Sequence, residues 1–228
     1  MTEKESVRRE WQSRLAAGAA AAGWGRAAEL LRRQPSYQEA ATVFAAPGEP
    51  LRQARINCLA DGKNLVMPAP SLREGFYLLP ARTISFKDIA AAVTFKGLPR
   101  YGRLLKNEAI GDLSVDLLLT DAVAVDAEGG RLGDGRGFFD LCCALLHELA
   151  GLAENPAALA FIREDQVSAN LLPQDRWDIK MTGVVTPVGT RMFGSRLQPA
   201  PVFWDQLTRD QIKRIDPLWK IRSANKRS

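Results

Sequence analysis

The first periodic segment spans residues 5–33, where Val7, Trp11 and Leu15 recur at four-residue spacing and residues 26–33 are strong helix formers. One helix or two is expected there, with Gly23 and Gly25 around Trp24 separating the pieces. Residues 41–45 are an apolar run closed by Pro47-Gly48, the pattern of a strand buried on both faces. Residues 50–60 follow as a helix with Leu51, Ile56 and Leu59 on one side, ended by Asp61-Gly62. Strands are expected at residues 64–68, stopped by two prolines, and at residues 75–80. A helical stretch through residues 88–92 leads into residues 94–108, rich in Gly, Arg and Lys and without a period, which reads as irregular and exposed. Residues 117–120 and 122–125 form another strand region, residues 139–152 a helix apolar nearly all round, residues 158–162 a strand and residues 183–186 the last strand. Strands alternating with helices predict an α/β three-layer domain with a mainly parallel sheet.

Composition narrows the class. The chain has 228 residues, 46% hydrophobic and 25% charged, the make-up of one ordinary globular domain. No charge-free apolar run approaches the roughly 18 to 20 residues that cross a bilayer, so no membrane span is expected. The first residues carry charges of both signs, and the Ala-rich stretch at residues 16–22 is too short and too weakly apolar for a leader. Cys58, Cys142 and Cys143 have neither disulfide arithmetic nor metal-ligand spacing, which points to a reducing cytoplasm. Net charge is +5, and residues 205–228 hold seven basic and three acidic residues, so the excess sits almost wholly there. We therefore expect a single domain over residues 1–204 and a basic C-terminal tail over 205–228. Trp204 and Trp219 in that tail could stack on bases, but anchoring of Leu218, Trp219 and Ile221 on the domain is the better reading, and nucleic acid is not the expected partner. Monomer and homodimer are both compatible with the sequence.

The chemistry is concentrated in residues 131–140, Arg-Leu-Gly-Asp-Gly-Arg-Gly-Phe-Phe-Asp, with glycine at Gly133, Gly135 and Gly137 directly before a helix. Glycines at alternate positions let the backbone bend and a ligand approach the peptide N–H groups, while the helix N-terminus favours an anion. Arg131 and Arg136 suit phosphate oxygens, and Asp140 could hold Mg²⁺ against them. A plain glycine-rich strand-to-helix turn is the alternative reading. The segment lacks the Gly-Lys-Ser/Thr ending of the P-loop and the Rossmann spacing. His147, the only histidine, lies mid-helix and reads as a packed or half-exposed helix residue; Cys142 and Cys143 read as small buried hydrophobes.

The same run resembles the signature of the 5-formyltetrahydrofolate cyclo-ligase family, Arg-Leu-Gly-x-Gly-x-Gly-Tyr/Phe-Tyr-Asp, matched here by Arg131, Leu132, Gly133, Gly135, Gly137 and Asp140. Lys4 and Arg8, at i and i+4 on one helix face, resemble the family's N-terminal Lys-x-x-x-Arg; Leu171-Leu172-Pro173 and Trp177-Asp178-Ile179 resemble its closing pattern. The resemblance implies a cyclo-ligase and CoA-transferase-like fold and the Mg·ATP-dependent closure of 5-formyltetrahydrofolate to 5,10-methenyltetrahydrofolate. It implies ATP binding by Lys4, Arg8, Gly133, Gly135 and Gly137, catalytic roles for Arg131, Arg136 and Phe138, and Mg²⁺ ligation by Asp140 and Asp178. Glu49, Tyr101 and Phe138 fall on the implied substrate side.

Phe138 and Phe139 stand where the family carries tyrosines, and Leu141 where many members carry Arg. Residues 65–73, 97–102 and 178–187 look more like a divergent branch that includes the methenyltetrahydrofolate synthetase domain-containing proteins. For this chain the alternatives are therefore an ATP-using paralogue acting on another formamide or a thiamine-related pyrimidine, and a non-catalytic nucleotide- or RNA-binding module.

Overall fold

The computed structural model describes residues 2–17 and 23–225. Most of the Ala-rich stretch, together with Lys226 and Arg227 of the basic tail, lies outside the described residues. The strands are β1 Thr42–Ala45, β2 Asn64–Pro68, β3 Phe76–Leu79, β4 Arg103–Leu104, β5 Val115–Asp121, β6 Ala124–Val125, β7 Arg131–Leu132, β8 Leu152–Phe161, β9 Gly183–Val185 and β10 Thr190–Met192. Among the described residues, eight of them form one sheet in the order β10-β9-β8-β5-β1-β2-β3-β4, and β6 and β7 form a separate antiparallel pair. The centre of the sheet, β2-β1-β5-β8-β9, is parallel, while β3, β4 and β10 pair antiparallel at the two edges.

Side-chain alternation along the central strands divides the interior into two layers. Val43, Ala45, Leu117, Leu119, Leu159 and Phe161 face one cluster, covered by the helices Trp24–Arg32 and Arg52–Ala60. Phe44, Leu118, Ala158 and Ala160 face the other, covered by the helix Phe138–Glu148. The expected three-layer α/β architecture is thus formed because each central strand is apolar on both faces. The connection from β1 to β2 crosses one face and that from β5 to β8 crosses the other, so the sheet reverses its winding between β1 and β5.

Two regions differ from the sequence reading. Residues 94–108 are ordered rather than irregular: Leu98–Tyr101 and Asn107–Ile110 are short helices flanking β4, and Leu98, Leu105 and Ile110 are buried. Three apolar side chains spread over thirteen residues anchor this segment without producing a period. The C-terminal segment is not an appendage either. It forms the helices Arg209–Arg214 and Asp216–Asn225, the first capped reciprocally by Thr208 and Gln211. Ile212, Ile215 and Leu218 are buried in the cluster under the sheet, while Lys213, Arg214 and Lys220 remain exposed. Leu218, not the half-exposed Trp219, is the anchor. The Asp216 N–H donates to the Arg73 carbonyl at 2.8 Å, fixing the helix to the turn between β2 and β3.

Leu218→Ala should therefore cost about 2 to 5 kcal/mol of unfolding free energy, as for other fully buried leucines. Trp219→Ala should cost far less; denaturant unfolding of the two variants separates an anchored helix from an appendage.

Candidate active site

The carboxyl ends of β1, β2 and β5 open onto a cavity of about 910 Å³ at the point where the winding reverses. Open α/β sheets bind ligands there, because the diverging connections leave a crevice beyond the strand ends. Phe44, Pro47 and Gly48 after β1, Pro68 ending β2, and Thr120, Asp121 and Val123 around the end of β5 form its floor.

Its cationic wall is built from the glycine loop and the N-terminal helix Glu3–Ala17. Val7 and Trp11 pack that helix against Val123, Ala124, Leu132 and Leu172, beside β6 and β7. The next face of the helix then presents Lys4 and Arg8 to the cavity. Arg8 Nε donates to the Gly133 carbonyl at 2.9 Å; Lys4 Nζ donates to Asp175 Oδ2 at 2.9 Å and also to Asp178 Oδ2. Gly135 and Gly137 have φ of +94° and +66°, a region closed to ordinary side chains, and Gly137 caps the helix Phe138–Glu148. Arg136 is exposed on the loop, with its guanidinium 3.6 Å from Asp134. The loop, the helix N-terminus, Lys4, Arg8 and Arg136 all line one side of the cavity.

Arg131 lies beneath the loop, 6% exposed, with its guanidinium 4.9 Å from the centre of the Phe139 ring. It donates to Asp140 Oδ2 at 2.5 Å, and Asp140 Oδ1 accepts the Ile179 N–H at 3.0 Å. Burial alone would pull the Arg131 pKa down; the charge and hydrogen bond of Asp140 outweigh it and leave Arg131 above its ordinary value. Arg131 Nε is buried with no partner among the described residues. Asp178, the other carboxylate expected to hold metal, accepts the Asp175 N–H at 2.6 Å besides its contact with Lys4. No group of three or more His, Cys, Asp or Glu side chains is gathered in metal-binding fashion among the described residues. A cation here would complete its shell with ligand oxygens and water, as Mg²⁺ commonly does.

Phe138, the first residue of the helix Phe138–Glu148, is 37% exposed at the cavity, whereas Phe139, which also borders it, is buried and packs on Phe44 with ring centres 6.2 Å apart. The two phenylalanines thus have separate jobs, one at the wall and one in the core. Glu49 and Tyr101, expected on the substrate side, are not in the cavity wall. Glu49 is exposed in the turn Glu49–Leu51, and the Tyr101 hydroxyl is directed to Asp88 Oδ1 at 3.3 Å. Phe95 supplies aromatic surface to the cavity instead. His147 is exposed on its helix, and Cys142 and Cys143 are buried, their thiols pushed upward by burial.

Asp121 is the residue that the sequence reading passed over. It ends β5, lines the cavity and accepts no side-chain hydrogen bond from another described residue. Its carboxylate lies so close over Gly48 that a Cβ there would sit 2.3 Å from Oδ2. Burial pushes its pKa up and the charge of Asp134 adds to that, while a hydrogen bond from its own backbone N–H and the charges of Arg131 and Arg55 oppose it. Arg55, pulled down to about 10 by burial, donates to the Ala46 and Gly48 carbonyls at 2.7 and 2.8 Å and so braces the β1 loop beneath Asp121. The sequence signal is a carboxylate set between the apolar runs of residues 117–120 and 122–125.

Comparison with known proteins bears on this geometry. A family model described as the 5-formyltetrahydrofolate cyclo-ligase family matches residues 1–187. The chain is 25% identical over 205 residues to a methenyltetrahydrofolate synthase domain-containing protein of Bos taurus, covering 88% of this chain and 53% of that one. It thus spans about half the length of the curated relatives of this kind. It is 39% identical over 83 residues to a 5-formyltetrahydrofolate cyclo-ligase of Mycolicibacterium smegmatis, covering 36% of this chain and 38% of that one. In three dimensions it is similar to the 5,10-methenyltetrahydrofolate synthetase of Aquifex aeolicus, with a TM-score of 0.58 and 19% identity over 90% of this chain and all of that one.

Two variants test the geometry itself. Asp140→Ala leaves Arg131 charged, buried and unpaired, and should cost about 3 to 5 kcal/mol in denaturant unfolding. Asp121→Asn should have the opposite sign at neutral pH. A carboxylate whose folded pKa is raised binds its proton more tightly in the native state, so its cost appears as pH rises through the unfolded value and is absent below it. The variant should melt above the unmodified protein at pH 7, and the gap should close as the pH falls towards the ordinary aspartate range.

Proposed function

Because the chain belongs to the 5-formyltetrahydrofolate cyclo-ligase family, we propose that its cavity carries out the ATP-dependent cyclisation of 5-formyltetrahydrofolate to 5,10-methenyltetrahydrofolate. The observation that carries this reading is the cationic wall: a helix N-terminus, glycines with positive φ, Arg131, Lys4 and Arg8 converge on one side of a cavity at the sheet's switch point. Such a wall fits the triphosphate of ATP, and the buried, unpartnered Arg131 Nε is a further N–H for an anion.

In the proposed reaction the formyl oxygen takes the γ-phosphoryl group and ADP leaves. The neighbouring amine nitrogen then attacks the activated carbon, the C–N bond forms, phosphate departs and the amine proton is released. Phosphoryl transfer of this kind asks the protein chiefly for positioning and charge neutralisation. The loop N–H groups and Arg131 hold the phosphates against the helix N-terminus, Lys4 and Arg8 close the wall from the N-terminal helix, and Arg136 reaches from the exposed side. Asp140 and Asp178 offer hard oxygens for Mg²⁺: each oxygen of Asp140 keeps a second lone pair beside its one protein contact, and Asp178 takes both Lys4 and the Asp175 N–H on Oδ2, leaving Oδ1. Bound there, Mg²⁺ would neutralise charge on the phosphate oxygens. Phe138 and Phe95 offer the folate ring aromatic surface in the same cavity.

Purified protein supplied with ATP, Mg²⁺ and 5-formyltetrahydrofolate should form the methenyl product and ADP in equal amounts. Turnover below that of family members carrying the loop tyrosine is expected, since a polar partner on the ligand stays unpaired beside Phe138. Phe138→Tyr should raise turnover, whereas Phe139→Tyr, which buries its hydroxyl, should lower stability instead. Absence of the methenyl product from unmodified protein and Phe138→Tyr alike would refute the assignment.

A further inference from the structure

The cyclisation releases a proton from the ring-closing amine, and the cavity must offer it a destination. Neither the exposed His147 nor the buried, proton-retaining cysteines can serve. Several carboxylates line the cavity, but nearly all are already engaged or lie in solvent. Asp140 is held by Arg131 and the Ile179 N–H; Asp175 and Asp178 are held by Lys4; Asp134 accepts the Arg136 N–H on the exposed loop. Glu5 accepts the Thr2 N–H, and Glu3 is exposed in the first helical turn.

Asp121 alone combines a half-buried place on the cavity floor with a carboxylate that no other described residue donates to. Its position is set from three sides: the backbone of β5 fixes its Cα, Gly48 lets the carboxylate lie against the β1 loop, and Arg55 holds that loop by two carbonyl oxygens.

We propose that Asp121 is the general base that takes the proton of the ring-closing amine. The inference rests on the cyclisation proposed above. The nitrogen lone pair forms the new C–N bond, the phosphate leaves with the electron pair of the C–O bond and takes a proton from solvent to become hydrogen phosphate, and the N–H proton passes to an Asp121 carboxylate oxygen, from which solvent removes it after product release. The methenyl product is a delocalised cation, and a carboxylate beside the new bond also stabilises the charge developing there. Burial on the cavity floor favours the proton-accepting role by making Asp121 more basic than a surface aspartate; the charged groups facing it are Arg131 from β7, Arg55 from the helix Arg52–Ala60 and Asp134 from the loop.

The test compares unmodified protein with Asp121→Asn and Asp121→Ser, measuring turnover of 5-formyltetrahydrofolate with ATP and Mg²⁺ as a function of pH, KM for ATP, and thermal unfolding. Unmodified protein should lose activity on the acid side with an apparent pKa above the ordinary aspartate value. Both variants should fold, keep KM for ATP within about twofold, lose that acid limb and turn over about 10²- to 10⁴-fold more slowly. Retained turnover with the acid limb intact would overturn the proposal, as would a raised KM for ATP or a raised Mg²⁺ requirement at unchanged maximal rate, which would move Asp121 to the nucleotide. If the unmodified protein forms no methenyl product while still binding ATP, the assigned substrate fails and the role of Asp121 falls with it.

Discussion

The ion pair between Arg131 and Asp140 ties together three parts of the chain. Arg131 comes from β7, Asp140 from the first turn of the helix Phe138–Glu148, and the second oxygen of Asp140 takes the N–H of Ile179 from the segment that leads into β9. Phe139 supports the guanidinium from below while packing on Phe44 of β1. Two charges withdrawn from water are expensive, and the mutual attraction offsets that cost only where hydrogen bonds satisfy the remaining positions. Here the carboxylate is satisfied on both oxygens and the guanidinium is not.

Around this pair the cavity is electrically divided. One wall concentrates N–H groups, two lysine and arginine side chains from the N-terminal helix and the positive end of a helix, whereas the floor presents the free carboxylate of Asp121. An uncharged pocket could bind both substrates but would not distinguish their ends. A divided one orients a phosphate-bearing ligand and a nitrogen-bearing one relative to each other before any bond changes, which lowers the entropic part of the barrier.

Much of this was legible because continuous apolar runs have few alternatives. Residues 41–45, 64–68 and 158–162 can hardly be anything but buried strands, and three glycines before an apolar helix can hardly be packed as regular structure. What escaped detection was structure whose cause is distant in sequence. β4 and β10 have two and three residues and exist because β3 and β9 offer them an edge. The C-terminal helices are dominated by charge, and only the pairing of Ile212 and Ile215 with Leu218 under the sheet explains their placement. Asp121 sits between two apolar runs that read as strand, so its significance depends on Gly48 and Arg55, which lie 73 and 66 residues earlier. Glu49 and Tyr101, assigned by position along the chain, were diverted by a turn and by a local hydrogen bond.

The docking of the N-terminal helix has a mechanical corollary. It is held by the small apolar cluster around Val7 and Trp11, by Arg8 on a single carbonyl, and by Lys4 on two carboxylates. Lysine has three N–H donors, so one remains for an incoming phosphate. Any anion that spans Lys4 or Arg8 and the glycine loop becomes a clasp across two otherwise loosely joined pieces, and its binding free energy is added to that of docking. Under the proposed binding mode the helix would report occupancy: amide exchange along it should slow as the cavity fills.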